Sequence, residues 1–254
     1  MIPPLNIGRT TLRATSPCWA FLLAAILFAP PGAEGQEPGA QRGARSADTI
    51  PTLGLEEGLL SFEIPGFHLE LVRASQTAAA LRPTDDPAFD FTPGDRLERR
   101  AANGYHHLGD LTLRLRSGGS QEWESFSTAA ARAPVEPLPT SGRSMSGGAE
   151  ALVLAAADLG PALPPEIPLA VRRYWEVEDG HLALRFELEN RSGVLVEIGS
   201  LGIPMIFDNI LQGRSLEEAH AEASFHDPYI GSEGGYLQVT RLSGQGPVLL
   251  VVPP

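Results

Sequence analysis

Leu182, Leu184, Phe186 and Leu188 alternate without a break with Ala183, Arg185, Glu187 and Glu189. A period of two sends successive side chains to opposite faces, so this segment reads as a strand with one face on a core and one in water. A helix would repeat its apolar residues every three or four positions. One-sided burial of this kind belongs to antiparallel sheets. Leu111, Leu113 and Leu115 alternate with Thr112, Arg114 and Arg116 in the same way, and Phe67, Leu69 and Leu71 with His68, Glu70 and Val72. Asp179-Gly180 lies between an apolar-rich segment at 169–177 and the run at 182–189, and Asp-Gly can take the positive φ angles of a tight hairpin. Asn190 to Gly193 turns the chain again, so 169–207 reads as a meander of three or four strands. Further strands are expected at 58–64, 122–128, 194–199, 201–207, 236–242 and 247–252, while 149–159 fits a helix or a buried strand, the strand being favoured.

Helical signal is thin. Ser215-Leu216-Glu217-Glu218 matches a capping box and predicts a short helix. The segments 132–148 and 158–168 are rich in proline and read as loops. The chain of 254 residues carries 27 Gly and 23 Pro, which suits about ten strands and their turns. The expected fold is an all-β, large antiparallel sandwich.

The N-terminus has a separate character. Arg9 and Arg13 precede the apolar run Cys18 to Ala29, followed by Pro30, Pro31, Gly32 and Ala33. This is the order of a secretory signal, and the run is short for a bilayer span. We expect residues 1–33 to be an export signal, 34–52 a polar flexible leader, and 53–254 a β-sandwich domain. The protein is then secreted, extracellular or periplasmic, and no membrane contact is expected after cleavage. Cys18, the one cysteine, lies in the signal, so no disulfide or cysteine metal cluster is expected. The chain ends at Val251-Val252-Pro253-Pro254, directly after an apolar strand, which predicts a fragment of a longer protein.

Charge excludes some functions. The formal net charge is -12, a surface that repels phosphate backbones, so no nucleic-acid partner is expected. All 19 basic residues are arginine, which removes lysine Schiff-base chemistry and the phosphate-loop lysine. The sequence lacks G-x-S-x-G, H-E-x-x-H, C-x-x-C and a complete G-x-G-x-x-G. No catalytic residues, no metal site and no cofactor are legible.

Three clusters are candidate ligand contacts. In Gly104 to Asp110 (GYHHLGD), neighbouring histidines on a strand would face opposite ways, so His106 or His107 could face a ligand beside Tyr105 or Asp110, but not share a metal. The alternative is a strand start whose Asp and His satisfy loop backbone groups. Asp208, Asn209, His220, His226, Asp227 and Tyr229 supply carboxylates, an amide and imidazoles, a set suited to metal binding, proton transfer or a sugar contact. Their spacing matches no compact metal motif, and Asp227-Pro228 also reads as turn initiation. Among the aromatic residues, Trp175 sits in an apolar alternation and reads as core, while Trp123, between Glu122 and Glu124, reads as exposed and able to stack on a sugar. Asp85, Asp86, Asp90, Asp95 and Glu98 form an acidic stretch read as a solvated loop, and Asn190-Arg191-Ser192 as a turn.

Four segments carry a family resemblance: Gly104 to Asp110, Arg173 to Trp175 with Asp179-Gly180, Val196 to Met205, and Asp227 to Leu242. In that order they resemble the domain of unknown function 5695 family, from about Leu55 onward. The resemblance implies a secreted protein similar to six-hairpin glycosidases, with a galactose-mutarotase-like β-supersandwich followed by an (α/α)6 toroid. In such proteins the acid and base come from the toroid. This chain would then be the N-terminal, non-catalytic sandwich, bracing a helical catalytic domain absent from it. Its partners would be that domain and a polysaccharide or oligosaccharide. Two other expectations stand beside this one: a stand-alone glycan-binding module using Trp123 or Tyr105, and a structural or adhesive surface sandwich with a large exposed apolar patch.

Overall fold

The computed structural model describes residues 53–140, 143–146, 149–230 and 235–253. The expected export signal and leader lie outside the described residues. The strands are β1 (Leu59–Ile64), β2 (Phe67–Val72), β3 (Ala78–Pro83), β4 (Thr112–Ser117), β5 (Glu124–Ser127), β6 (Glu136–Pro137), β7 (Arg143–Ser146), β8 (Ala149–Asp158), β9 (Leu169–Glu178), β10 (His181–Asn190), β11 (Val196–Gly202), β12 (Ser224–Ile230), β13 (Gly235–Arg241) and β14 (Val248–Val251). A helix, α1 (Leu216–Glu222), precedes β12, and short 3-10 turns complete the regular structure. The fold is an all-β sandwich of antiparallel sheets.

Four sheets form. Their orders are β1-β2-β3, β10-β9-β8-β6 with β7 also on β8, β11-β4-β5, and β12-β13-β14. The long hairpin β9–β10 forms one side of the five-stranded sheet. Asp179 and Gly180 close it with φ of 50° and 80°, the turn that Asp-Gly permits. Its register sets Leu184 opposite Trp175, Phe186 opposite Arg173 and Leu188 opposite Val171. These side chains share the inner face. Arg172, Tyr174, Arg185, Glu187 and Glu189 share the outer face, where Arg172 meets Glu189 at 3.1 Å and Tyr174 donates to Glu187 at 2.9 Å.

The inner face of β9 divides the core. Toward its start, Val171 packs with Leu111, Leu113 of β4, Ala157, Leu159 and Leu163. Toward its end, Trp175 packs with Leu69 and Leu71 of β2, Leu81, Phe89, Phe91, Phe207 and Val239 of β13. Trp175 is 1% exposed, so its expected place in the core is borne out. Its indole Nε1 donates to the Gln76 carbonyl at 2.9 Å, satisfying the ring's one polar group.

Some expectations change. The separate strands at 194–199 and 201–207 are one strand, β11, with a register shift between Ile198 and Ser200. Residues 203–210 carry no strand, because Pro204 lacks the N–H a ladder requires. Nor does β11 extend the meander, since it crosses to pair with β4. The segment 132–148, expected as loop, contains β6 and β7. Asp227-Pro228, also readable as a turn, lies within β12. That strand is a sheet edge, where a proline need not donate. The capping box forms as expected, with Glu218 N donating to Ser215 Oγ at 3.2 Å and Ser215 N to Glu218 Oε2 at 2.7 Å.

The acidic stretch is not a free solvated loop. The carboxylate of Asp90 accepts from Leu81 N at 3.0 Å, and from Thr92 N and Thr92 Oγ1 at 2.9 Å each, holding the loop against β3. Asp86 accepts from Arg241 at 2.6 Å, and the Arg241 guanidinium lies 4.4 Å from the centroid of Phe89. The loop therefore joins the first sheet to β13.

Candidate functional site

The segment Gly104 to Asp110 is an irregular loop leading into β4, so its histidines are oriented by hydrogen bonds and not by strand alternation. His106 Nε2 pairs with Ser127 Oγ at 2.9 Å, and His107 Nε2 with the Arg100 carbonyl at 3.0 Å. His107 is buried, and its pKa falls from 6.5 to about 4. Burial is the main cause, reinforced by the charges of Arg132 and Arg100.

Asp110 is the centre of the loop. It is 1% exposed and fully engaged. Arg132 donates to its two oxygens at 2.8 and 2.7 Å, His107 N at 2.7 Å and Thr128 Oγ1 at 2.8 Å. Burial alone would raise its pKa, but these partners outweigh burial and hold it below the usual carboxylate range. Arg132 also donates to the Tyr105 carbonyl. Behind this pair stands Arg173, 1% exposed, which donates to the Gly109 carbonyl at 2.6 Å and the Ser75 carbonyl at 2.5 Å. Burial lowers its pKa to about 10, so it remains charged at neutral pH. Gly109 has φ of 105°, and a Cβ there would stand 3.0 Å from the Trp175 ring. Only glycine meets both conditions without strain. Asp110 and His107 therefore act on the fold, while Tyr105, 45% exposed with Arg100 5.2 Å from its centroid, keeps its ring at the surface.

The second candidate set divides by burial. Asp208 is 3% exposed and accepts from Arg214 at 3.0 and 2.8 Å. Arg214 also meets Asp95 at 2.8 Å and Glu222 at 3.1 Å, fastening the loop before α1. Asn209 and His220 are exposed. His226 is half-buried, its ring 6.4 Å from Phe207 and its Nδ1 without a hydrogen-bond partner among the described residues. Asp227 and Tyr229 share the outer face of β12, and Asp227 pushes the Tyr229 phenol pKa up through their hydrogen bond. Tyr229 stacks on Tyr236 across the strand pair, with centroids 4.7 Å apart. No group of three or more His, Cys, Asp or Glu among the described residues is placed to hold a metal.

Trp123 is half-buried on the outer face of the β11-β4-β5 sheet. Arg116 and Arg114 lie 4.6 and 5.2 Å from its centroid, which accounts for the cover that alternation between two glutamates did not predict.

A model of the family of unknown function (DUF5695) matches residues 70–254. The chain belongs to this family. All four segments that carry the DUF5695 resemblance fall inside the match, and in the fold they converge. Arg173 holds Gly109, Trp175 packs against Gly109, Met205 packs beside the cluster containing Trp175, and Val239 lies within it. Each of the four segments thus contributes at least one contact to the core around Trp175. No curated protein and no solved structure matches the chain.

Proposed function

We propose that this chain is a non-catalytic β-sandwich domain of a secreted, carbohydrate-active protein, and that its C-terminal sheet seats a helical catalytic domain. One observation carries the reading: the outer face of β12-β13-β14 exposes a set of large apolar side chains around Asp227, Gln238 and Thr240. Leu237, Val239, Leu249 and Val251 turn inward to the core. On the opposite face Phe225, Tyr229, Tyr236, Val248 and Leu250 are each 40–57% exposed. The run Val248 to Leu250 with Val251 is apolar at every position, the pattern of a strand covered on both sides. An exposed apolar patch of this kind marks an interaction surface. The N-terminal pattern supports export in this reading, and the family resemblance supports the helical partner.

The first check is the gene beyond residue 254. A continuous frame encoding a helical domain supports the seat, and a stop codon in an intact gene with no adjacent helical frame overturns it. The second is biophysical. The full chain is expected to bind the apolar dye ANS and to self-associate, and Phe225→Glu with Leu250→Glu to abolish most of both. Equal dye binding and equal association of the two proteins would sink the proposal.

A second reading, glycan capture, is favoured by Tyr105 and Trp123. Both present aromatic surface beside arginine. Retention of polysaccharide by the chain, weakened by Tyr105→Ala or Trp123→Ala, supports it.

A further inference from the structure

The outer face of the β11-β4-β5 sheet is built differently from the apolar face of the C-terminal sheet. In β4, Leu113 and Leu115 point inward and are buried, so Thr112, Arg114 and Arg116 point outward. Arg116 is opposite Glu197 and donates to both its oxygens, at 3.1 and 2.8 Å. Its charge is cancelled in place. Arg114 lies opposite Ser200 of β11 on one side and Ser125 of β5 on the other. It is exposed, and its guanidinium has no hydrogen-bond or ion-pair partner among the described residues. Its guanidinium lies 5.2 Å from the centroid of the Trp123 ring.

The position of that ring is prepared by the backbone. Gly199 sits at the register shift of β11, and a Cβ there would stand 2.6 Å from the Trp123 ring. A bulge re-aims its surroundings, and glycine lets the indole lie against the strand. The result is an aromatic plate beside an unpaired guanidinium, with the hydroxyls of Ser125 and Ser200, both exposed, on either side of that arginine.

We propose that this face binds a sugar bearing a carboxylate, a uronic-acid unit of a polysaccharide. The inference rests on the glycan-capture reading and names its ligand class. Trp123 stacks on the sugar ring, Arg114 pairs with the carboxylate, and the serine hydroxyls meet ring hydroxyls. Guanidinium presents two parallel donors that match a carboxylate. With Arg116 neutralised by Glu197, the face offers one uncompensated positive charge, which suits a monoanion better than a doubly charged phosphate. Glu124 is opposite Leu115 in the register, on the inward side of its strand, and Glu122 stands in the turn before Trp123. The net charge of -12 opposes a polyanion at long range, and about 0.15 M salt screens that term to within about 8 Å.

The test uses the full chain with oligogalacturonate and with the same oligomer methyl-esterified, by isothermal titration. The wild type is expected to prefer the free acid. Arg114→Gln is expected to weaken free-acid binding about tenfold, the scale of one charge-assisted pair, and to leave binding of the ester unchanged. Trp123→Ala is expected to weaken both. Arg114 is exposed, so its variant should melt with the wild type, and a matched melt is part of the result. Equal binding of acid and ester with no effect of Arg114→Gln overturns the carboxylate claim and leaves glycan capture standing. No binding to either oligomer, nor to a panel of neutral polysaccharides, overturns both.

Discussion

Asp110→Ala is expected to destabilise the domain by about 3–5 kcal/mol, the usual cost of breaking a buried ion pair from one side. The carboxylate receives four hydrogen bonds from Arg132, His107 N and Thr128. Removing it leaves the Arg132 guanidinium buried, 4% exposed, with no counter-charge. The loss is therefore not that of one interaction but of a solvation shell made of protein. Urea unfolding followed by tryptophan fluorescence measures it. Arg132→Met alone strands the carboxylate instead, while the double variant strands neither charge. The double is expected to cost clearly less than the sum of the singles. Additive costs would mean that the pair does not organise the loop.

Acid is expected to weaken the same loop, beginning above the carboxylate range. His107 titrates at about 4 in the folded chain against 6.5 when exposed. Below 6.5 the unfolded chain binds a proton that the folded chain refuses until about 4. The unfolded state then holds more protons, so stability falls as pH drops through this window. The full loss is about 3 kcal/mol, from about 1.4 kcal/mol per unit. Asp110 adds to it at lower pH, because its folded pKa is depressed and its contribution disappears as pH falls through that lowered value. Urea midpoints between pH 7 and 4 for the wild type and His107→Gln test the assignment. The variant should lose most of the slope between 6.5 and 4, and an unchanged slope would clear His107 of the effect.

Strand identity was legible wherever one face is wet. β4 and β10 alternate cleanly because their outer residues meet water, whereas β2 alternates only as far as Val72, which is buried. β3, with Ala78 to Leu81 buried throughout, shows no alternation and was missed. β12 was missed because Asp-Pro imitates a turn, and only its place at a sheet edge makes it a strand. The candidate residues were legible by type and not by depth. Asp110 and Asp208 have the chemistry of ligand contacts, but each meets a buried arginine more than five positions along the chain, Arg132 and Arg214, which no local pattern announces. The Trp123 platform depends on a bulge and a glycine in a strand that pairs with β4, a relation that arises only from the fold.

The reach of Arg173 also has a consequence for the order of assembly. Its two carbonyl partners lie 64 and 98 residues away in sequence, and the partner of Trp175 lies 99 away. The β9–β10 hairpin is local and can close within about 1–10 μs. The guanidinium at its centre cannot shed water until the chain from Ser75 and from Gly109 has arrived, and such distant closures are slow. Arg173 is thus expected to keep the middle of the nascent core wet until late in assembly, its contacts forming in the last step. Arg173→Met should accordingly change the unfolding rate in stopped-flow experiments and leave the refolding rate almost untouched. A refolding rate that moves in step with stability would place this arginine in the folding nucleus instead.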